Sequence, residues 1–116
     1  MGAINLEAML STFSGVFQPR TVARFNGHDI MVVKAKGDFV WHKRDDTDDF
    51  FLVIKGRLTI ELRDRSVTLG PGELFVVPKG VEHRPVATEE THVLLIEPTG
   101  TPNTGDAATA QPRRVI

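Results

Sequence analysis

The chain has 116 residues, is 41% hydrophobic and 25% charged, and carries a formal net charge of -1. That is enough for one soluble domain, and the charge gives no overall attraction to nucleic acid. With no cysteine in the sequence, disulfides, thiolate metal sites and cysteine nucleophiles are excluded.

The N-terminus has no basic start and carries Glu7 within its apolar part, which argues against a secretory signal. No apolar run is long enough to span a bilayer. The expectation is a cytoplasmic protein with neither membrane nor nucleic acid among its partners. "NLEAMLSTFS", residues 5–14, reads as a short helix. Asn5 can cap its start, Leu6, Met9, Leu10 and Phe13 share one face, and Gly15 follows where helices commonly stop.

Strands follow. "RTVARF" and "HDIMVVKA" flank Asn26-Gly27, a strong two-residue hairpin signal. Next come "DFVWH", "FFLVIK", "RLTIEL", "SVTL", "ELFVV", a short piece near "RPVA", and "THVLLIE". Glycines and prolines punctuate them, including Gly37, Gly56, Gly70-Pro71-Gly72, Pro78 and Gly80. Many short strands with such turns indicate an all-β sandwich or barrel. "RLTIEL" alternates, as a half-exposed strand does, whereas "FFLVI" and "VLLI" are apolar on both faces and need cover on both sides. The helix supplies part of that cover. Three segments result: residues 1–19 as helix and arm, 20–97 as barrel, and 98–116 as an extended or mobile tail without periodicity.

Two histidines and a carboxylate carry the chemistry. If His42 faces the barrel interior, strand alternation turns Val40 and Arg44 inward too, and Phe39 and Trp41 outward. His83 follows a Pro-Lys-Gly turn. Two imidazoles with one carboxylate are a common face for a divalent first-row metal. Asp45 and Asp46 read as solvated loop, and His28 and His92 as ordinary strand residues. The glycines lack a phosphate-loop context. No serine nucleophile elbow is present, so any acid–base chemistry falls to His42 and His83.

The sequence resembles the cupins, small jelly-roll barrels also described as a double-stranded β-helix. The resemblance is carried by "GDFVWHKRDDTDDFFLVIKG" from Gly37 and "GELFVVPKGVEHRPVA" from Gly72, and it covers roughly residues 20–97. It implies four metal ligands. By position these fall on His42, Arg44, Asp49 (or Asp48 under the shorter spacing) and His83, while the last asparagine of the second motif falls on Ala87. Two ligands are retained, one is a shorter carboxylate, and one is a cation. A guanidinium donates hydrogen bonds only and cannot ligate. Arg44 can pair with Asp49 in place of the metal, or extend to the barrel mouth and leave His42, Asp49 and His83 as a three-ligand face.

Two functions stay open. One is a barrel with a divalent transition metal of unassigned identity that binds, and transforms, a small polar or anionic molecule, with Arg44, Lys43 and Arg84 favouring the anion. The other is a metal-free small-molecule binding or sensor module in which Arg44 pairs with Asp49. The resemblance also implies a homodimer, and outward Phe39 and Trp41 together with the two-sided apolar strands are the expected interface.

Overall fold

The structure is a computed structural model that describes residues 2–101 and 114–116. Among the described residues one short helix, α1 (Leu6–Leu10), precedes eight strands: β1 (Arg20–Phe25), β2 (His28–Asp38), β3 (Asp49–Lys55), β4 (Leu58–Leu62), β5 (Ser66–Leu69), β6 (Leu74–Val77), β7 (His83–Pro98) and β8 (Arg114–Val115). The all-β barrel with an N-terminal helix is therefore what forms.

Asn5 caps α1 as expected, its side chain accepting from the Ala8 N–H at 2.9 Å. The helix is shorter than the pattern suggests. The Ser11 and Thr12 hydroxyls donate to the carbonyls of Ala8 and Met9 at 2.6 and 2.7 Å. Such local bonds compete with helix continuation. Phe13 still joins Leu6 and Met9 against the buried Leu10, Val22 and Val32.

The β1–β2 hairpin closes on Asn26 and Gly27, both at positive φ (48° and 74°). This is the geometry that favours Asn-Gly in two-residue turns. β2 then pairs with β7 from His28↔Pro98 to Asp38↔Val86, with an irregularity between Ala35 and Gly37. The pieces near "RPVA" and "THVLLIE" are one strand, β7, of 16 residues. Its first part pairs with β4, Leu62↔His83 to Thr59↔Val86. Its later part pairs with β2 on one side and β3 on the other. β7 thereby joins β5–β4, β6–β3 and β2–β1 into one eight-stranded sheet with β8. Gly56, at φ 92°, ends β3. A β-carbon there would lie 2.6 Å from the Thr91 hydroxyl, so no larger residue fits.

The core lies inside the barrel, with Met31, Val33, Phe51, Val53, Ile60 and Val93 among its buried members. The outer face of the two-sided strands is covered in part by α1, whose buried Leu10 shares a cluster with Ile30, Ile54 and Leu94. Leu74 and Val76 of β6 stay exposed.

"DFVWH" is not a strand beyond Asp38. The Phe39 N–H donates to the Pro85 carbonyl, and the chain then turns before bridging at His42. Simple alternation fails there. Val40 is the exposed residue, and Phe39 faces the interior pocket. Trp41 lies against two guanidiniums, Arg63 at 3.8 Å and Arg84 at 5.4 Å from its ring centre. Of the segment read as a tail, residues 102–113 lie outside the described residues, while Arg114 and Val115 pair in parallel with Arg20 and Thr21. No helix among the described residues is long and apolar enough to cross a membrane.

Candidate metal centre

The two histidines are brought together by backbone pairing. The His42 N–H donates to the His83 carbonyl at 3.0 Å, and the His83 N–H returns the bond at 2.9 Å. This isolated antiparallel bridge sets the imidazoles side by side, with ring centres 4.4 Å apart. Asp49 opens β3 opposite Val77 and enters from the adjacent strand. His42, Asp49 and His83 are all buried, and one ligand atom from each lies within 4.8 Å of the others. The shorter aspartate reaches the site after all. Asp48 does not enter it; its carboxylate accepts from the Lys79 N–H at 2.9 Å and holds the turn.

The tautomers follow from the hydrogen bonds. His42 Nδ1 lies 3.0 Å from the Val40 carbonyl, and His83 Nδ1 lies 2.9 Å from the Val81 carbonyl. A carbonyl only accepts, so both Nδ1 atoms carry hydrogen. Both Nε2 atoms then turn toward Asp49. His83 Nε2 is 2.7 Å from Asp49 Oδ2, and His42 Nε2 is 3.6 Å from it. A neutral imidazole already donating through Nδ1 presents a lone pair at Nε2. A lone pair facing a carboxylate oxygen at that range needs a proton or a cation between them. His42 Nε2 and Asp49 Oδ1 are buried without a hydrogen-bond partner among the described residues. Histidines anchored through Nδ1 with Nε2 free to ligate are the usual arrangement at metal sites.

Arg44 points inward and is 6% exposed. Its Nε lies 3.5 Å from Asp49 Oδ2, and its Nη1 lies 2.6 Å from Glu97 Oε1. The sequence reading missed Glu97, which is only 1% exposed. It follows Val93 and Leu95 on the inward face of β7 at strand spacing. That period was the available signal, masked because the strand is apolar on both faces. Lys43 and Arg84 stand apart from the centre. Lys43 lies 3.6 Å from Asp45 on the surface, and Arg84 donates to Glu61 at 2.6 Å. His28 bonds the Asn26 carbonyl, and His92 bonds Glu90 on the outer face.

Burial would push the Asp49 carboxyl up. The His42 and His83 imidazoles and the Arg44 charge outweigh this and bring it from 3.8 down to about 2. A carboxylate depressed on folding adds stability above its unfolded value, and that stability is lost as pH falls through the folded one. The contribution is about 2 kcal/mol. In metal-free protein it should fade as pH drops from about 4 to about 2. Urea unfolding at stepped pH, against Asp49→Asn, checks this; parallel pH curves for the two proteins would contradict it.

A cavity of about 50 Å³, open at one side, adjoins the centre. Such a space holds a few water molecules. Its walls are mainly apolar, with Phe17, Phe39, Phe51 and Leu95 facing His42, Arg44 and Asp49. Phe17 adopts φ 54°, a left-handed conformation that is costly for a bulky side chain, about 1–3 kcal/mol. Its N–H is held by the Lys34 carbonyl, and its ring lies 4.9 Å from that of Phe39.

A jelly-roll barrel with a buried His/Asp/His group beside an apolar pocket defines the class. The chain belongs to the cupin family, whose domain matches residues 29–97. Among solved structures, it is 45% identical to a cupin-2 domain protein from Shewanella frigidimarina, covering 82% of this chain and 93% of that one, with a TM-score of 0.81. It is 32% identical to a protein from Neisseria meningitidis, covering 84% and 100%, with a TM-score of 0.76. Among curated proteins, it is 28% identical over 101 residues to the 3-hydroxyanthranilate 3,4-dioxygenase of Meyerozyma guilliermondii, spanning 81% of this chain and 60% of that enzyme.

Proposed function

We propose that this cupin holds a divalent transition metal through His42, Asp49 and His83, and uses it to bind and transform a small molecule with an apolar body and an anionic or oxygen-bearing head. The observation that carries the reading is the His83 Nε2 to Asp49 Oδ2 approach at 2.7 Å, with Nδ1 already committed to a carbonyl. A bound ion would supply Lewis-acid or redox chemistry. The chain's own residues do the rest. The carbonyls of Val40 and Val81 fix both tautomers and make the imidazoles better ligands. The phenylalanines at 17, 39 and 51 limit water at the pocket. Arg44 sets a positive charge at its inner end, which favours an anionic head. With a dication present and Asp49 and Glu97 ionised, the centre keeps one net positive charge, which again suits an anion. The relative named as a dioxygenase supports dioxygenation as the first reaction class to assay.

A metal-free binding or sensor barrel is the second reading, and one observation favours it. The Arg44 guanidinium already lies beside Asp49 in the interior, and a proton on His83 Nε2 would satisfy the short contact without any metal.

The exposed Leu74 and Val76, with Phe50 and Leu52 opposite them on β3, form an outward apolar patch that supports a homodimer. This patch includes β3, one of the two-sided apolar strands expected at the interface, whereas Phe39 faces the interior pocket. Native mass spectrometry of protein purified without tag or chelator, then loaded with several divalent ions, tests both proposals. The expected result is a dimer with one metal per chain. A metal-free mass after loading would overturn the metal reading, and a monomeric mass at micromolar concentration would overturn the dimer.

A further inference from the structure

We infer that Glu97 is the positioning residue that makes a metal centre compatible with Arg44, an inference that rests on the metal reading above. A guanidinium beside a dication is repelled by it, and beside a lone carboxylate ligand it competes with the metal for that ligand. Arg44 stands in this double conflict, since its Nε is 3.5 Å from the oxygen of Asp49 that faces both imidazoles. The closer carboxylate is that of Glu97, 2.6 Å from Nη1. At 2.6 Å Glu97 is the nearer ion-pair partner of the guanidinium, and Asp49, at 3.5 Å, is the more distant one. Glu97 thus draws the guanidinium toward β7 and away from Asp49. It also supplies the negative charge that offsets the arginine.

Removing this carboxylate would leave Arg44 with Asp49 as an ion-pair partner at 3.5 Å, and the guanidinium would compete with the metal for it. Glu97 comes from the end of β7, beyond the end of the second motif on the same strand as His83, and it is almost wholly buried. A buried carboxylate just after the apolar run Val93–Ile96 is costly unless it has such a partner.

The test is calorimetric titration with cobalt(II), followed in parallel by the visible spectrum of the bound ion, on the wild type, Glu97→Gln, and the double variant Arg44→Met/Glu97→Gln. Glu97→Gln should bind cobalt at least about tenfold more weakly, the range typical for residues that support metal ligands. The double variant, with the competing cation also removed, should regain wild-type affinity and spectrum. Equal affinity of Glu97→Gln and wild type would overturn the inference. So would a double variant that binds weakly, a comparison that holds even if Glu97→Gln alone fails to fold. A wild type that binds no cobalt would instead bring down the metal reading itself, and this inference with it.

Discussion

His83→Ala is expected to weaken divalent-metal binding by about a hundredfold or more, beyond the effect of losing a supporting residue, while the far-ultraviolet spectrum stays that of a β protein. His83 sits at the centre of the site's geometry: its ring is 4.4 Å from that of His42, and its Nε2 makes the shortest contact to Asp49. Its backbone pairing with His42 does not depend on the side chain, so the bridge should survive the substitution. Removing the ring leaves Asp49 buried with fewer partners, and a stability loss of about 1–3 kcal/mol should accompany the loss of metal. His42→Ala should act in the same direction. Metal content unchanged in both variants, measured by plasma mass spectrometry, would end the metal reading.

Arg44→Met should cost about 3 kcal/mol of stability in chelator-treated protein, because it removes the cation from a buried ionic cluster and leaves its carboxylates behind. Asp49 and Glu97 are both within reach of that guanidinium and are 2% and 1% exposed. Methionine conserves much of the apolar stem, so the loss reports charge more than volume. The same variant should bind divalent metal more tightly than wild type, since an ion can take over the neutralising role. Stability is read by urea denaturation and affinity by titration. A loss below about 1 kcal/mol would mean that the ionic cluster contributes little to the fold.

The barrel was legible because its signals are local. Asn26-Gly27 sets a turn by its own φ preferences, and the spacing around Gly56, Pro78 and Gly80 marks the strand ends. The histidines and Asp49 were legible through the motif resemblance, and the structure brings them together. The facing of Phe39 and Val40 was not, because alternation holds only while the chain stays paired, and residues 39–41 leave the sheet. Glu97 was hidden for the opposite reason. The run before it, Val93–Ile96, is apolar on both faces, so nothing in the pattern says which face is the interior. The direction of Arg44 depends on that hidden carboxylate, so the two were unreadable together. The helix ended early because hydroxyls at 11 and 12 capture carbonyls locally, a competition that apolar periodicity does not report.

β7 also bears on how the chain is assembled during synthesis. It forms part of the ladders of β2, β3 and β4, yet its residues are among the last of the domain to be translated. The strands made earlier wait with one edge unpaired, and the histidine of the first motif waits for its partner on the second. The hairpin of β1 and β2 can close at once, but the barrel cannot be sealed until residues 83–98 emerge. Folds dominated by such distant pairings form slowly, and their open edges are exposed to wrong partners meanwhile. For this chain the vulnerable interval is therefore the one before β7 arrives, and the two histidines are brought together in the same step that ends it.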